Sequence, residues 1–165
     1  MNLELLILAV PFGYLLAVSP PLAIIDIRSH RLPNALTLPG ILISLVSVFS
    51  ISLLEAKWLE LIISIGVSVL ILIIGYPLAR AELLGMGDIK LLIAFALPLS
   101  FISPVALLIG VLVSLLIANA FLLPKLLLNR LSSKTAIPMG PYLLLGLIGV
   151  FGYELWELSP AGVWS

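Results

Sequence analysis

The chain has 165 residues, of which 62% are hydrophobic and 10% charged, whereas a soluble domain carries about a quarter charged residues. This excludes a water-soluble fold, and continuous apolar runs without period-2 alternation favour membrane helices over a barrel. Eight basic and eight acidic residues balance, so no overall field indicates nucleic acid as a partner. With no cysteine and a lone His30, we expect no metal site and no cofactor.

The apolar runs predict an all-α integral membrane protein, a bundle of about six transmembrane helices that forms a single membrane-embedded domain over residues 1–165. In chain order the predicted helices are about 3–25, 35–54, 58–79, 89–101, 104–128 and 138–158. Glu4 is acidic where a secretory signal needs basic residues, so the first run is expected to remain as a helix. Prolines and serines between Pro98 and Pro104 interrupt the stretch 89–128, which we expect to form two spans.

The loops between these helices differ in charge. Lys and Arg, which concentrate on the cytoplasmic side of membrane proteins, lie in the odd-numbered loops: Arg28, Arg31, Arg80, Lys90, Lys125, Arg130 and Lys134. The second loop and the terminal segments carry the glutamates Glu4, Glu55, Glu60, Glu154 and Glu157, with Lys57. We therefore predict cytoplasmic odd loops and extracytoplasmic termini, and the three tryptophans Trp58, Trp156 and Trp164 fall at predicted outer helix ends.

Two aspartates, Asp26 and Asp88, are the only ones in the chain, and both fall on the predicted cytoplasmic face. A single Asp there is ordinarily a helix cap or a loop residue, but Asp88 follows Gly85 and Gly87 in a Gly-x-Gly-Asp turn. These glycines can adopt positive φ and lack a Cβ, which lets backbone or substrate approach Asp88. Two carboxylates that share a site cannot both ionise easily, so the pair can act on water as base and acid. The pattern predicts an aspartic peptidase.

Three ordered segments resemble the type IV prepilin peptidases, the bacterial Gly-x-Gly-Asp membrane aspartic proteases. The segments are Asp26 with Arg28, Arg31 and Leu32-Pro33-Asn34; Glu82 to Lys90; and Ile137-Pro-Met-Gly-Pro-Tyr-Leu143. The resemblance implies that Asp26 and Asp88 are catalytic. It implies supporting roles for Gly85, Gly87, Glu82 and Lys90, and substrate contacts for Arg28, Arg31, Pro33, Asn34, Pro138, Gly140 and Pro141.

Structural explanations stay open for several of these residues. Arg28, His30 and Arg31 can act as topology determinants alone, and the prolines can simply start helices. Lys90 can form a structural ion pair or extend towards the interface, since it does not share a helical face with Asp88. Elsewhere, Asn119 and the three glycines Gly66, Gly75 and Gly110 are predicted to pack against neighbouring helices.

The resemblance further implies an endopeptidase that removes the short basic leader of a prepilin or pseudopilin, ahead of its apolar stem helix, at the cytoplasmic face of the inner membrane. Because the chain lacks the cysteine-bearing cytosolic insert of longer members, it is similar to the short forms associated with tight-adherence (Flp-type) pili, without an expectation of N-methylation or zinc binding. The alternatives are a preflagellin- or signal-peptide-peptidase-like protease, and a non-enzymatic small transporter or assembly subunit.

Overall fold

The computed structural model describes residues 3–29, 32–81, 84–127 and 139–159, with the side chains of 124–127 excepted. The described residues form six α-helices and no strand: α1 Leu3–Ser29, α2 Asn34–Glu55, α3 Trp58–Arg80, α4 Met86–Ile102, α5 Pro104–Leu127 and α6 Gly140–Glu157. The predicted all-α bundle is confirmed. The stretch 89–128 is indeed divided between two helices, because the backbone is extended at Ser103, while α1 continues one turn beyond its predicted end.

Four described helices, α1, α2, α3 and α5, are long and apolar enough to cross a membrane. Their outer faces expose large apolar side chains such as Ile62 and Leu116, both about two-thirds exposed, as a lipid-facing surface requires. The α4 helix has 17 residues, or about 26 Å at 1.5 Å per residue, which is less than the roughly 30 Å hydrocarbon core. The six predicted helices are thus present, and four of them have the length and apolar composition of a membrane span in the described residues.

The short helix α4 lies at the centre of the bundle. Every residue from Ala94 to Phe101 is buried, and α4 packs against α2, α3, α5 and α6. The other five helices form a ring in the order α1, α2, α3, α5 and α6, and the weakest contact in this ring is that of α3 with α5. Asp88, in the first turn of α4, is therefore carried by the helix that the rest of the fold holds in place.

Two hydroxyl groups connect α4 to its neighbours. Pro98 has no N–H, so the carbonyl of Ala94 one turn earlier lacks its helical donor. The buried Ser44 hydroxyl of α2 donates to that carbonyl at 2.8 Å, which satisfies a group that lipid could not. From α3, the buried Ser64 hydroxyl donates to the carbonyl of Leu97 at 2.6 Å.

The predicted packing glycines behave differently from one another. A Cβ added at Gly75 would lie 2.9 Å from Cγ1 of Ile89, and one at Gly110 would lie 2.9 Å from Cδ2 of Leu147, so both positions need a glycine for close contact. The prediction is wrong for Gly66, where a Cβ would meet nothing within 4 Å. It is also wrong for Asn119, which is exposed and donates to Leu115 of its own helix, because a helical amide can use its own backbone.

The end of the bundle opposite the two aspartates carries an ion-pair cluster. Lys57 Nζ lies 2.6 Å from Glu4 and 3.0 Å from Glu55, which ties the start of α1 to the corner between α2 and α3. Burial lowers the pKa of Lys57, but its hydrogen bonds to both glutamates outweigh burial and leave that pKa raised. Trp58 begins α3 and Trp156 nearly ends α6 at this same end; Trp164 is outside the described residues.

Candidate active site

One end of the bundle brings together the last turn of α1 and the first turns of α2, α4 and α6. The backbone N–H of Gly140 donates to Oδ2 of Asp26 at 3.0 Å, joining α6 to α1. Lys90 Nζ donates to Oδ1 of Asn34 at 2.7 Å, joining α4 to α2. Residues from all three segments singled out in the sequence therefore meet at one end of the fold.

Asp26 lies inside α1 and not beyond its end, because α1 continues to Ser29. It is 5% exposed, the one buried acidic residue among those that the structure describes. The contact with α6 is close: a Cβ added at Gly140 would lie 2.8 Å from Oδ2 and 3.0 Å from Cγ of Asp26. Only a glycine at the start of α6 allows the helix to approach this carboxylate so closely and to donate an N–H to it.

Asp88 and Asp26 line the same cavity, which has a volume of about 310 Å³. The backbone N–H of Asp88 donates to the carbonyl of Gly85 at 3.0 Å, closing the turn that starts α4. Its Oδ1 is buried and accepts no hydrogen bond from any residue that the structure describes. A buried carboxylate oxygen without a donor is costly, so this atom is suited to carry a proton or to meet a ligand.

The two glycines before Asp88 act through their missing Cβ atoms. A Cβ at Gly85 would lie 2.8 Å from Oδ2 of Asp88, and one at Gly87 would lie 2.6 Å from Cβ of Leu32. Gly85 thus lies close to Asp88 as expected, whereas the close neighbour of Gly87 is Leu32 and not Asp88. The expectation of positive φ is wrong, since no glycine in the described residues has it and Gly85 is extended at φ −70°; a helix begins here, and helical backbone has negative φ.

Lys90 and Asn34 also line the cavity, together with the two aspartates. Although Lys90 stands two residues beyond Asp88, its long side chain reaches across to the start of α2, where it meets Asn34. It thus places a cationic group at the cavity that holds the two carboxylates. The site-supporting assignment of Lys90 is compatible with this position.

The remaining predicted substrate residues occupy varied positions. Arg28 is exposed in the last turn of α1, and Pro33 is the N-cap residue of α2; neither lines the cavity. Pro141 lines a separate groove between α1 and α6, while Gly140 contacts Asp26. Glu82, His30, Arg31 and Pro138 lie outside the described residues.

Two cavity residues had no predicted role. Leu32 packs against Gly87, and Met86 lines the cavity beside it. Leu32 precedes Pro33 and Met86 lies within the Gly-x-Gly-Asp turn, and these positions were the only sequence features that could indicate a site role. Neither residue was predicted, because most residues of the chain are apolar. Among the described residues, no three carboxylate or imidazole groups cluster as a metal site would require.

The arrangement offers two carboxylates in one cavity, one held by a backbone N–H and one with an unsatisfied oxygen, which is a suitable geometry for acid and base catalysis on water. The sequence model of the type IV leader peptidase family matches residues 10–123. This range includes both aspartates and ends before the segment at Gly140. No curated protein and no solved structure matches the chain.

Proposed function

Because the chain belongs to the type IV leader peptidase family, we propose that it is an aspartic endopeptidase that removes the basic leader of a prepilin or pseudopilin. The observation that carries the proposal is the shared cavity of Asp26 and Asp88, two residues 62 positions apart in the chain. Such a pair activates water without a metal or an organic cofactor.

The different surroundings of the two carboxylates support a division of roles. Oδ2 of Asp26 accepts the backbone N–H of Gly140 at 3.0 Å, which fixes the orientation of this carboxylate in the cavity. Oδ1 of Asp88 is buried and has no donor in the described residues, so this atom is available for a hydrogen bond with the substrate carbonyl. Asp26 then removes a proton from the attacking water, while Asp88 donates to the carbonyl oxygen of the scissile peptide.

The reaction balances in two steps. Water adds to the carbonyl carbon as Asp26 takes its proton and Asp88 hydrogen-bonds the developing oxyanion. The tetrahedral intermediate then collapses, the C–N bond breaks, and the proton that Asp26 took from water passes to the leaving amine. The products are the leader with a new carboxyl group and the mature pilin with a free amino group.

The charge distribution supports cleavage on the cytoplasmic side of the membrane. The basic residues Arg28, Arg80 and Lys90 lie at the end of the bundle that holds the cavity, whereas Glu4 and Glu55 mark the opposite end. By the positive-inside rule the cavity faces the cytoplasm and both termini face outward. A substrate anchored in the same membrane would present its basic leader there.

The direct test is co-expression with prepilins and preflagellins from the same genome, scored by leader removal. We expect cleavage by the wild type and loss of at least about 10³-fold in rate for Asp26→Asn and for Asp88→Asn, since each change removes one member of the pair. Glu60→Gln, which removes a carboxylate from the opposite end, is the matched control and should cleave normally. Normal processing by either Asp variant would contradict the assignment, and cleavage of preflagellin alone would change the substrate class.

A further inference from the structure

A second, apolar cavity lies directly beside the candidate active site. This groove has a volume of about 330 Å³ and is formed by α3, α4 and α5 together with Leu84. It opens where the ring of helices is weakest, because α3 and α5 make little contact with each other. Its floor is α4, including Ile89, the residue that follows Asp88.

Residues 84–90 line both spaces, some of them the groove and others the active-site cavity. Leu84 lines the groove, Gly85 to Asp88 line the cavity, Ile89 lines the groove and Lys90 lines the cavity again. The two spaces therefore lie on either side of the first turn of α4. A bound segment that leaves the groove at Ile89 arrives next to Asp88.

The length of the groove suits the start of a helix. On α3 its lining extends from Val67 to Leu78, which is about 16 Å at 1.5 Å per residue, or three helical turns. The lips expose Ile74 of α3 and Leu108 of α5, which are 55% and 63% exposed. An apolar helix that enters sideways from the bilayer can contact both lips and the α4 floor along this length.

A competing surface exists between α1 and α6. This α1–α6 groove has a volume of about 240 Å³, and the residues that line it include Ser19, Ala23, Pro141 and Leu145. Next to Pro141, however, Gly140 is hydrogen-bonded to Asp26, so the start of α6 is fixed against α1 at the site end of this groove. None of the residues that line the α1–α6 groove belongs to the Gly-x-Gly-Asp turn.

We infer that the α3–α4–α5 groove holds the first turns of the substrate's apolar stem helix, with the peptide bond ahead of the stem placed at Asp88. This inference rests on the proposed leader-peptidase function and adds where the membrane-embedded part of the substrate binds. A stem helix bound beside α4 would hold the peptide bond ahead of it at the cavity that Asp26 and Asp88 line. The same peptide bond would then be presented for cleavage in each substrate molecule. Binding contacts remote from the reacting bond can position it in this way.

Disulfide cross-linking is a suitable first test because the chain contains no cysteine. In the Asp88→Asn background, Leu108→Cys should cross-link to a single cysteine in the first stem turns of a prepilin that the wild type cleaves. Leu145→Cys, a leucine of similar exposure at 60% on the α1–α6 groove, is the matched control and should not. Equal cross-linking from both positions, or from Leu145→Cys alone, would overturn the inference.

A kinetic test gives an independent readout. Leu108→Trp should raise KM for the same prepilin roughly tenfold, as expected when one apolar stem residue loses its place, with kcat retained. Leu145→Trp should leave both unchanged. If the wild type cleaves no prepilin, the proposed function fails and the inference with it; if the wild type cleaves and the two tryptophan variants behave alike, the groove assignment alone fails.

Discussion

The position of Asp26 depends on a single glycine from the far end of the chain. Gly140 begins α6 and donates its N–H to Oδ2 of Asp26, 114 residues earlier. The sequence predicted Gly140 as a substrate contact, whereas the structure places it against the carboxylate itself. We therefore propose that Gly140 positions Asp26, and this proposal predicts a specific mutational outcome.

Gly140→Ala should lower kcat for leader cleavage by about 10- to 100-fold. The added Cβ would lie 2.8 Å from Oδ2 and 3.0 Å from Cγ of Asp26, so the carboxylate must turn away. A displacement of about 1 Å at a reacting group can lower the rate by about 100-fold. Cleavage kinetics on purified protein provide the measurement.

The control for that variant is Gly149→Ala in the same helix. A Cβ at Gly149 would meet nothing within 4 Å, so kcat should be unchanged. The added Cβ of Gly140→Ala also overpacks the buried contact between α6 and α1 and should lower thermal stability, so both variants are assayed well below their melting temperatures. Equal activity of the two alanine variants would show that the Gly140 contact does not position Asp26.

At the scale of elements, the central helix α4 depends on its neighbours to satisfy its own backbone. A proline in the middle of a membrane helix leaves one carbonyl without a donor, and in α4 that carbonyl belongs to Ala94. The hydroxyl of Ser44 supplies the missing donor from α2. Since α4 carries Asp88, this hydrogen bond also contributes to holding the candidate site.

Ser44→Ala should reduce the free energy of unfolding by about 1 kcal/mol, the typical contribution of a buried interhelical hydrogen bond. In the background of Pro98→Ala the loss should be smaller, because the new N–H of residue 98 can satisfy the Ala94 carbonyl. A double-mutant cycle in detergent, followed by denaturant titration, measures the coupling.

Ser50→Ala is the control, since the exposed Ser50 hydroxyl donates to Val46 of its own helix. Purely additive effects of the Ser44 and Pro98 changes on the free energy of unfolding would contradict this account.

At the scale of the whole molecule, charge separates the two ends of the bundle. Arg28, Arg80 and Lys90 lie at the end that holds the cavity of Asp26 and Asp88. The cluster of Glu4, Glu55 and Lys57 marks the other end. The positive-inside rule predicts the orientation of a membrane protein from this separation of charge. The proposed orientation can be tested without a substrate, by labelling residues at the two ends of the bundle.

Single cysteines at the two ends should report opposite sides of the membrane. Ala56 and Ala81 are exposed residues at the ends of the bundle that are proposed to face outward and inward, respectively. In intact spheroplasts, a membrane-impermeant maleimide should label Ala56→Cys and should reach Ala81→Cys only after lysis. The cysteine-free background removes competing signal, and the reversed pattern would invert the proposed topology.

Much of the architecture was predictable because it depends on local chemistry. In lipid each helix must satisfy its own backbone hydrogen bonds, so apolar runs and their breaks determined the six helices to within about a turn. The Gly-x-Gly-Asp turn and the distribution of Lys and Arg likewise placed Asp26 and Asp88 at the same end. These features depend on residues near one another in the chain, and composition alone was enough to exclude a soluble fold.

Tertiary structure decided which face of each helix meets which neighbour. In a soluble helix the apolar stripe marks the buried face, but here nearly every face is apolar, and nothing in the sequence told Gly66 from Gly75 or predicted that Asn119 is exposed. The central position of α4, the contact of Gly140 with Asp26 and the groove beside Asp88 arise from helix packing across long stretches of chain. Packing is set by the shapes of all six helices together, and these long-range contacts therefore required the folded structure.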